Sequence, residues 1–360
     1  MVFNNKVVFI MKALVTGSGG LIGYETSNFF LEKGFEVLGI DNNMRKYFFG
    51  EKGDTSHNIA AIEKLSDRFK NYAIDIRDRQ GVLNFFNDNG PFEVVIHTAA
   101  QPSHDWACRE PFTDFDVNAV GTLNLLEAFR LFSPEGVFIF TSTNKVYGDA
   151  PNHVELIELD KRYDYAPVQK MPGVSQVGIS EEMTLDNNTH SLFGASKVAA
   201  DIMAQEYGRY FNLNVGVFRG GCLTGPQHSA VELHGFLTYI VMCAKNKTPY
   251  TIFGYKGKQV RDQIHSKDVV NAFYEFYLKP KQGIAYNLGG CKENGASILE
   301  IIDILDRDFG LKLEYSYNDK NRIGDHICYY SDMSKFKADY PNWNLQWSLQ
   351  RIIEDIVNAV

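Results

Sequence analysis

The 360-residue chain reads as an α/β protein built on a doubly wound parallel sheet, with an interwoven smaller C-terminal lobe. Three observations predict this class: short apolar runs alternate with helically spaced segments, a glycine-rich turn joins the first run to the first helix, and the chain is too long for one small module. Strands buried on both faces read as continuous apolar runs, and the runs here are of that kind.

The first strand is Lys12-Ala13-Leu14-Val15-Thr16, followed by crowded glycines and a helical pattern from Leu21. The second, Glu36 to Ile40, ends on Asp41, and a third extended run precedes Asp75. Phe92 to His97 then runs into the small residues Thr98-Ala99-Ala100. Helical spacing marks 81–89 and 115–132, and another strand is expected over Gly136 to Thr141. Beyond Gly148 the pattern breaks for some forty residues through Pro151, Pro167 and Pro172. So long an irregular stretch inside a compact domain is usually functional. A strong helix over 193–211 and a strand from Asn214 to Arg219 follow, and later elements alternate without repeat or linker.

Composition excludes other classes. With 44% hydrophobic and 22% charged residues the chain is neither a disordered tail nor a membrane protein. The N-terminal apolar run, Val7 to Met11, falls far short of the roughly 20 residues that span a bilayer, and no cleavage site follows, so no targeting segment is expected. A net charge of -8 and the lack of any basic block argue against nucleic acid as a partner. Five cysteines without a C-x-x-C pair predict reduced thiols, a cytoplasmic location, and neither a disulfide framework nor a structural metal.

The turn Thr16-Gly17-Ser18-Gly19-Gly20-Leu21-Ile22-Gly23 has the spacing of a dinucleotide site. A side chain at Gly17 would block the tight turn, one at Gly20 would hold a pyrophosphate off the helix, and one at Gly23 would push helix and strand apart. Asp41 stands where a carboxylate accepts hydrogen bonds from ribose hydroxyls and repels a 2′-phosphate, so NAD is favoured over NADP. Asp41 as a simple cap is the alternative, and Arg45 nearby weakens the exclusion of NADP. Asp75 is placed to meet the adenine amino group or to cap a turn.

Thr16 to Gly23, Asp41, Asp75, His97 to Ala100, Asn118, Thr143-Asn144-Lys145-Val146-Tyr147-Gly148, Ser196-Lys197 and Arg322-Ile323-Gly324-Asp325 together resemble the extended short-chain dehydrogenase/reductases that act on nucleotide sugars. Gln101 to Trp106, Thr143 to Tyr147 with the insertion after them, and Arg219 to Pro226 look most like its CDP-paratose (CDP-tyvelose) 2-epimerase branch. The resemblance spans nearly the whole chain. It implies a Rossmann-type NAD-binding domain over 12–226 and 264–283, a nucleotide-sugar lobe over 227–263 and 284–360, and an N-terminal extension over 1–11. It also implies that Leu21, Ile22, Asn42, Ile76, Thr98, Ala99, Ala100, Gln101, Asn118 and Thr141 join the glycines, Asp41, Asp75 and Lys197 around the cofactor. Ser103, His104, Thr143, Asn144, Lys145, Gln227, His228 and the diphosphate ligands Arg261 and Arg322 are implied around the substrate.

By the same resemblance Thr143 hydrogen-bonds the reacting hydroxyl and Lys197 binds the nicotinamide ribose. The tyrosine expected four residues before that lysine is Phe193, which has no proton to exchange. Three readings stand open: another group substitutes, with Tyr165 foremost beside Tyr163, Lys145, His104 and His190; the phenylalanine is an introduced replacement; or the protein binds without catalysing. The function implied is an NAD-dependent nucleotide-sugar epimerase (an isomerase) that transiently oxidises a ring carbon, most closely carbon 2 of a CDP-linked sugar. A 4-epimerase, dehydratase or oxidoreductase on the same scaffold is the alternative, and a non-catalytic binder is another. Helices over 115–132 and 193–211 resemble a pair that packs against a twofold mate, which predicts a homodimer or homotetramer.

Overall fold

The computed structural model describes residues 11–229, 235–321 and 324–360. Arg322, expected to bind a diphosphate, lies outside the described residues.

The chain opens with β1 (Lys12–Thr16), α1 (Leu21–Glu32), β2 (Glu36–Ile40), α2 (Met44–Phe49), α3 (Ser56–Leu65), β3 (Phe69–Tyr72), α4 (Arg79–Asn89) and β4 (Val94–His97). It continues through α5 (His104–Arg109), α6 (Pro111–Phe115), α7 (Gly121–Phe132), β5 (Val137–Thr143), β6 (Leu156–Glu158), β7 (Tyr163–Tyr165) and α8 (Ser191–Tyr210). Then come β8 (Asn214–Gly220), β9 (Cys222–Thr224), α9 (Phe236–Asn246), β10 (Tyr250–Phe253), β11 (Val260–His265), α10 (Ser266–Leu278) and β12 (Ile284–Leu288). The last elements are β13 (Gly295–Ser297), α11 (Ile298–Phe309), β14 (Tyr315–Asn318), β15 (Cys328–Tyr329), α12 (Ser334–Asp339) and α13 (Leu349–Ala359).

Seven strands form one sheet in the order β12-β8-β5-β4-β1-β2-β3, every pair parallel. The period of two along each strand sends Ala13, Val15, Val94 and Ile96 to one face, against Phe30 of α1 and Phe273 of α10. Leu14, Val95, Phe138 and Phe140 go to the other, against Phe86, Leu125 and Ala200 of α4, α7 and α8. Both faces are therefore apolar, and all C-terminal strand ends share one edge, where ligands of open parallel sheets bind.

The expected helix over 115–132 is interrupted by a π-helical turn over Asp116–Val120. The turn carries the buried Asn118, whose amide accepts from Gln101 N at 3.0 Å and donates to Gln101 O at 3.1 Å. The extra residue in the turn thus serves a polar clamp on the loop after β4.

Two boundaries move. β12, assigned to the substrate lobe by the expected break at 283, is an edge strand of the main sheet, paired to β8. Phe336 also packs back onto that sheet, its ring 5.9 Å from Phe218. Conversely, the insertion after Gly148 sits with the second lobe rather than with the dinucleotide domain: β6 and β7 form a hairpin, Tyr163 N donates to Lys258 O, and Ile179 N donates to Tyr330 O. Parallel strands take their partners from distant sequence, so chain order alone misplaces such segments.

Candidate active site

A cavity of about 470 Å³ opens along the C-terminal edge of the sheet. Its dinucleotide end is built from backbone. Gly17 adopts φ +71, and a Cβ there would lie 2.8 Å from Ala99 N. A Cβ at Gly23 would lie 2.0 Å from Gly17 O, so this glycine serves helix–strand packing and does not line the cavity. Gly20 does line it, with only Gly17 O near its vacant Cβ position. Asp41 holds the turn while facing the cavity: Oδ2 accepts from Gly19 N at 2.9 Å and Oδ1 from Asn43 N at 2.7 Å. Burial raises its carboxyl pKa and those two N–H groups oppose the rise.

Leu21, Ile22, Asn42, Asp75, Ile76, Thr98, Ala99, Ala100 and Thr141 line the same cavity. Asp75 is engaged by the Arg77 guanidinium at 2.6 Å, which holds its carboxyl below the usual range. Gln101 and Asn118 are corrected. Both are buried behind the wall, where Gln101 Nε2 donates to Asp114 at 2.6 Å and Asn118 to Ser196 at 3.1 Å. They position the loop instead of touching a ligand. Arg45 lines the cavity and donates to Ser229 O at 2.8 Å; burial lowers it to about 10.

At the far end, Thr143 closes β5, its Oγ1 accepting from Lys145 N at 3.2 Å. Lys197 Nζ donates to Thr141 O at 3.0 Å and lies 4.3 Å over the Phe140 ring. Burial presses its amine down to about 8, opposed by Asp201 and Asp114. One turn along α8, Asp201 pairs with Arg219 at 2.9 Å and accepts from Ser142 Oγ at 2.6 Å. This buried pair ties α8 to β5 and β8, which aims Lys197 at the cavity. Phe193 lines the cavity too, edge-on to His104 with ring centroids 5.0 Å apart.

His104, Asn144, Lys145, His228 and Arg261 also line the cavity. His104 Nδ1 lies 2.8 Å from Ser191 Oγ, and burial drops its pKa to about 3. Burial does the same to His228, aided by Arg45. Lys145 Nζ donates to Gly324 O at 2.9 Å and burial lowers it to about 8. Arg261 is ion-paired to Asp325, which also lines the cavity and which its place in the Arg-Ile-Gly-Asp segment alone did not mark as a site residue. Met44, Phe48 and Gln263 were missed for want of any motif.

Three expected site residues are elsewhere. Tyr165 is 1% exposed, donates to Cys328 O at 3.1 Å and packs on Tyr330 in the insertion's own core, so it does not supply the missing phenol. Ser103 is the N-cap of α5, accepting from Trp106 N, and Gln227 is bound through its backbone carbonyl to Asn58. Neither lines the cavity. His190 spends both ring nitrogens on the carbonyls of Asn188 and Val146.

The residues present suit a dinucleotide. The glycine cradle leaves backbone room at Gly20, the Asp41 carboxylate is in place, and among the described residues Thr141 Oγ1, Thr224 Oγ1 and Gln263 Oε1 are buried at the cavity wall without a partner. Asp41, Lys197 and the glycine turn would hold NAD.

The NAD dependent epimerase/dehydratase family matches residues 13–289. CDP-paratose 2-epimerase of Salmonella typhi is 31% identical over 332 residues, covering 90% of this chain and 92% of that protein. UDP-glucuronate 4-epimerase of Thermodesulfobacterium geofontis is 29% identical over 349 residues, covering 96% and 94%. In fold the chain is similar to the structure of Bifidobacterium longum UDP-glucose 4-epimerase with NAD+ and UDP (TM-score 0.76, 23% identity, 97% and 98% covered). It is equally similar to a tyrosine-to-phenylalanine variant of Bacillus cereus UDP-glucuronic acid 4-epimerase with NAD and a fluorinated UDP-sugar (TM-score 0.76, 24% identity, 97% and 98% covered). The glycine turn, the Asp41 carboxylate, the Thr143 and Lys197 pair and these matches over most of the chain agree: the protein belongs to the NAD dependent epimerase/dehydratase family.

Proposed function

We propose that this protein epimerises a nucleotide sugar at a ring carbon, most closely carbon 2 of a CDP-linked sugar. The observation that carries the reading is one cavity bringing the dinucleotide turn together with Thr143, Lys197, Lys145 and the Arg261–Asp325 pair. Carbon 2 and the CDP base are supported by the 31% identity to CDP-paratose 2-epimerase. Bound NAD supplies a reversible acceptor for hydride from the sugar carbon. Thr143 Oγ1 donates to the reacting oxygen and holds it near Lys197, while Arg261 offers a planar fork to a diphosphate. Asp325 must then share Arg261 with the substrate.

A panel of CDP-, UDP-, GDP- and dTDP-sugars read by NMR tests this. Inversion at carbon 2 of a CDP-sugar with no net NADH supports it. Inversion at carbon 4 of a UDP-sugar, loss of water or released NADH would replace the carbon-2 assignment by that chemistry.

The expected twofold assembly is supported by apolar side chains left exposed on α6 to α8: Phe112, Phe115, Leu131, Leu192, Ile202 and Tyr210. A sedimentation mass of one chain at micromolar concentration would rule it out.

A further inference from the structure

Phe193 leaves the proton of the reacting hydroxyl without its usual acceptor, and the structure limits which group takes it. Tyr165 is sealed in another core, and Tyr163 on the same hairpin packs against that core and does not line the cavity. His190 has both nitrogens on carbonyls. His104 touches the Phe193 ring, but its Nδ1 is on Ser191 Oγ, and burial with the nearby Lys145 charge drops its pKa to about 3, too weak a base to hold the proton. Lys197 Nζ is held on Thr141 O, with Asp201 and Asp114 supporting its charge. Lys145 remains. It follows Thr143 by two residues in the same strand-end turn, its own N–H on Thr143 Oγ1, and its side chain reaches the cavity wall at Gly324, against which His104 also packs. Phe193, His104, Gly324 and Lys145 therefore form one continuous wall.

Resting on the epimerase reading, we propose that the Lys145 amine takes the proton of the sugar hydroxyl during oxidation and returns it during reduction, the work a phenol at position 193 would do. In the forward step the O–H bond breaks and its proton forms the Lys145 ammonium. The C–H electron pair leaves with its hydrogen as hydride for the cofactor, and C=O forms. Reduction on the opposite face reverses each change, so atoms and electrons balance with no further reactant.

The surroundings of Lys145 suit an amine that must be neutral part of the time. Burial is the largest influence and lowers its pKa to about 8. Asp325 after the Gly324 turn opposes this, Arg261 on β11 adds to it, and Cys222 on β9 weakly opposes it. His104 on α5 and His326 after Asp325 face the same amine and are both kept neutral by burial. A base near the working pH is the efficient choice.

The test uses the full chain with its bound cofactor. Lys145→Met should keep NAD content and thermal stability yet lose turnover by roughly 10²–10⁴-fold, with partial rescue by added ethylamine. Phe193→Tyr puts a phenol into that wall and should not raise turnover by the roughly 10²–10⁴-fold of a restored acid/base. A readout independent of activity is the ¹⁵N resonance of the Lys145 amine in lysine-labelled protein, which should titrate near 8 and which decides the matter even if Lys145→Met does not fold. Three results overturn the proposal: a titration at the ordinary lysine value of about 10.4, a Lys145→Met variant as active as the unmodified protein, or a Phe193→Tyr variant faster by orders of magnitude. The first two against an active unmodified protein defeat the Lys145 role alone. An unmodified protein that turns over no nucleotide sugar defeats the epimerase reading with it.

Discussion

The two ends of the cavity are made of different materials. At the dinucleotide end the Gly17 to Gly20 turn and the strand ends present main chain, joined by Arg45, Asp75 and a carboxylate, Asp41, that spends its oxygens on two backbone N–H groups. At the sugar end the walls are long side chains carrying buried charge: Lys145, Lys197, Arg261 and Asp325. Backbone walls are rigid, and their donors carry no titratable charge. Of the side-chain charges, burial presses Lys145 and Lys197 down to about 8, while Arg261 is raised and pairs with Asp325 far along the chain. The first end is therefore expected to respond to shape and the second to protons.

The largest effect should break the sugar end. Thr143→Val keeps the shape of the β5 terminus but removes the hydroxyl proposed to hold the reacting oxygen. Loss of one such donor costs about 10²–10³-fold in turnover. Steady-state rates at saturating nucleotide sugar, with bound NAD checked by absorbance, measure it; a change under threefold would remove Thr143 from the chemistry.

Asp41→Ala probes the other end. It deletes a carboxylate that faces the cavity and also releases Gly19 N and Asn43 N. The loss of charge-assisted hydrogen bonds, about 1.5–3 kcal/mol, corresponds to a roughly tenfold to hundredfold weaker NAD affinity, with NADP relatively favoured. Calorimetric titration of cofactor-free protein would show it. Equal NAD affinity would make Asp41 a turn cap only.

Protons should separate the two ends further. Lys145 and Lys197 have folded values near 8, below the unfolded value of about 10.4. Above pH 8 the unfolded chain holds more protons than the folded one, so stability rises with pH, by up to about 1.4 kcal/mol per pH unit for each amine. Below pH 8 both states are protonated and this contribution is flat. Buried tyrosines such as Tyr147, pushed up to about 12, reverse the sign above pH 10 because only the unfolded chain then ionises. Urea midpoints between pH 7.5 and 9.5 should climb in the unmodified protein and climb less in Lys145→Met.

The smallest effect lies outside both ends. Tyr165→Phe removes one buried hydrogen bond, to Cys328 O, worth about 1 kcal/mol. It should lower the melting temperature by a few degrees and leave turnover unchanged; loss of turnover would return Tyr165 to the candidate bases.

The parallel sheet, the glycine turn and Asp41 were legible in the chain because each is a local matter. An apolar run declares a buried strand, and a left-handed φ at Gly17 or a 2.0 Å clash at Gly23 admits only glycine. Whether a side chain faces the cavity is not local. Tyr165 stood foremost by position, yet the hairpin of β6 and β7 turned it into a second core while the strand-end turn after Thr143 sent Lys145 to the site. Gln101 and Asn118 went behind the wall for a similar reason, their amides satisfying each other across a π-helical turn. The Arg261–Asp325 pair joins residues brought together only when β11 and β15 align. The sequence by itself determined the sheet and its nucleotide-binding edge. Tertiary packing alone decided which charged groups meet there, because burial and pairing are set by neighbours distant in the chain.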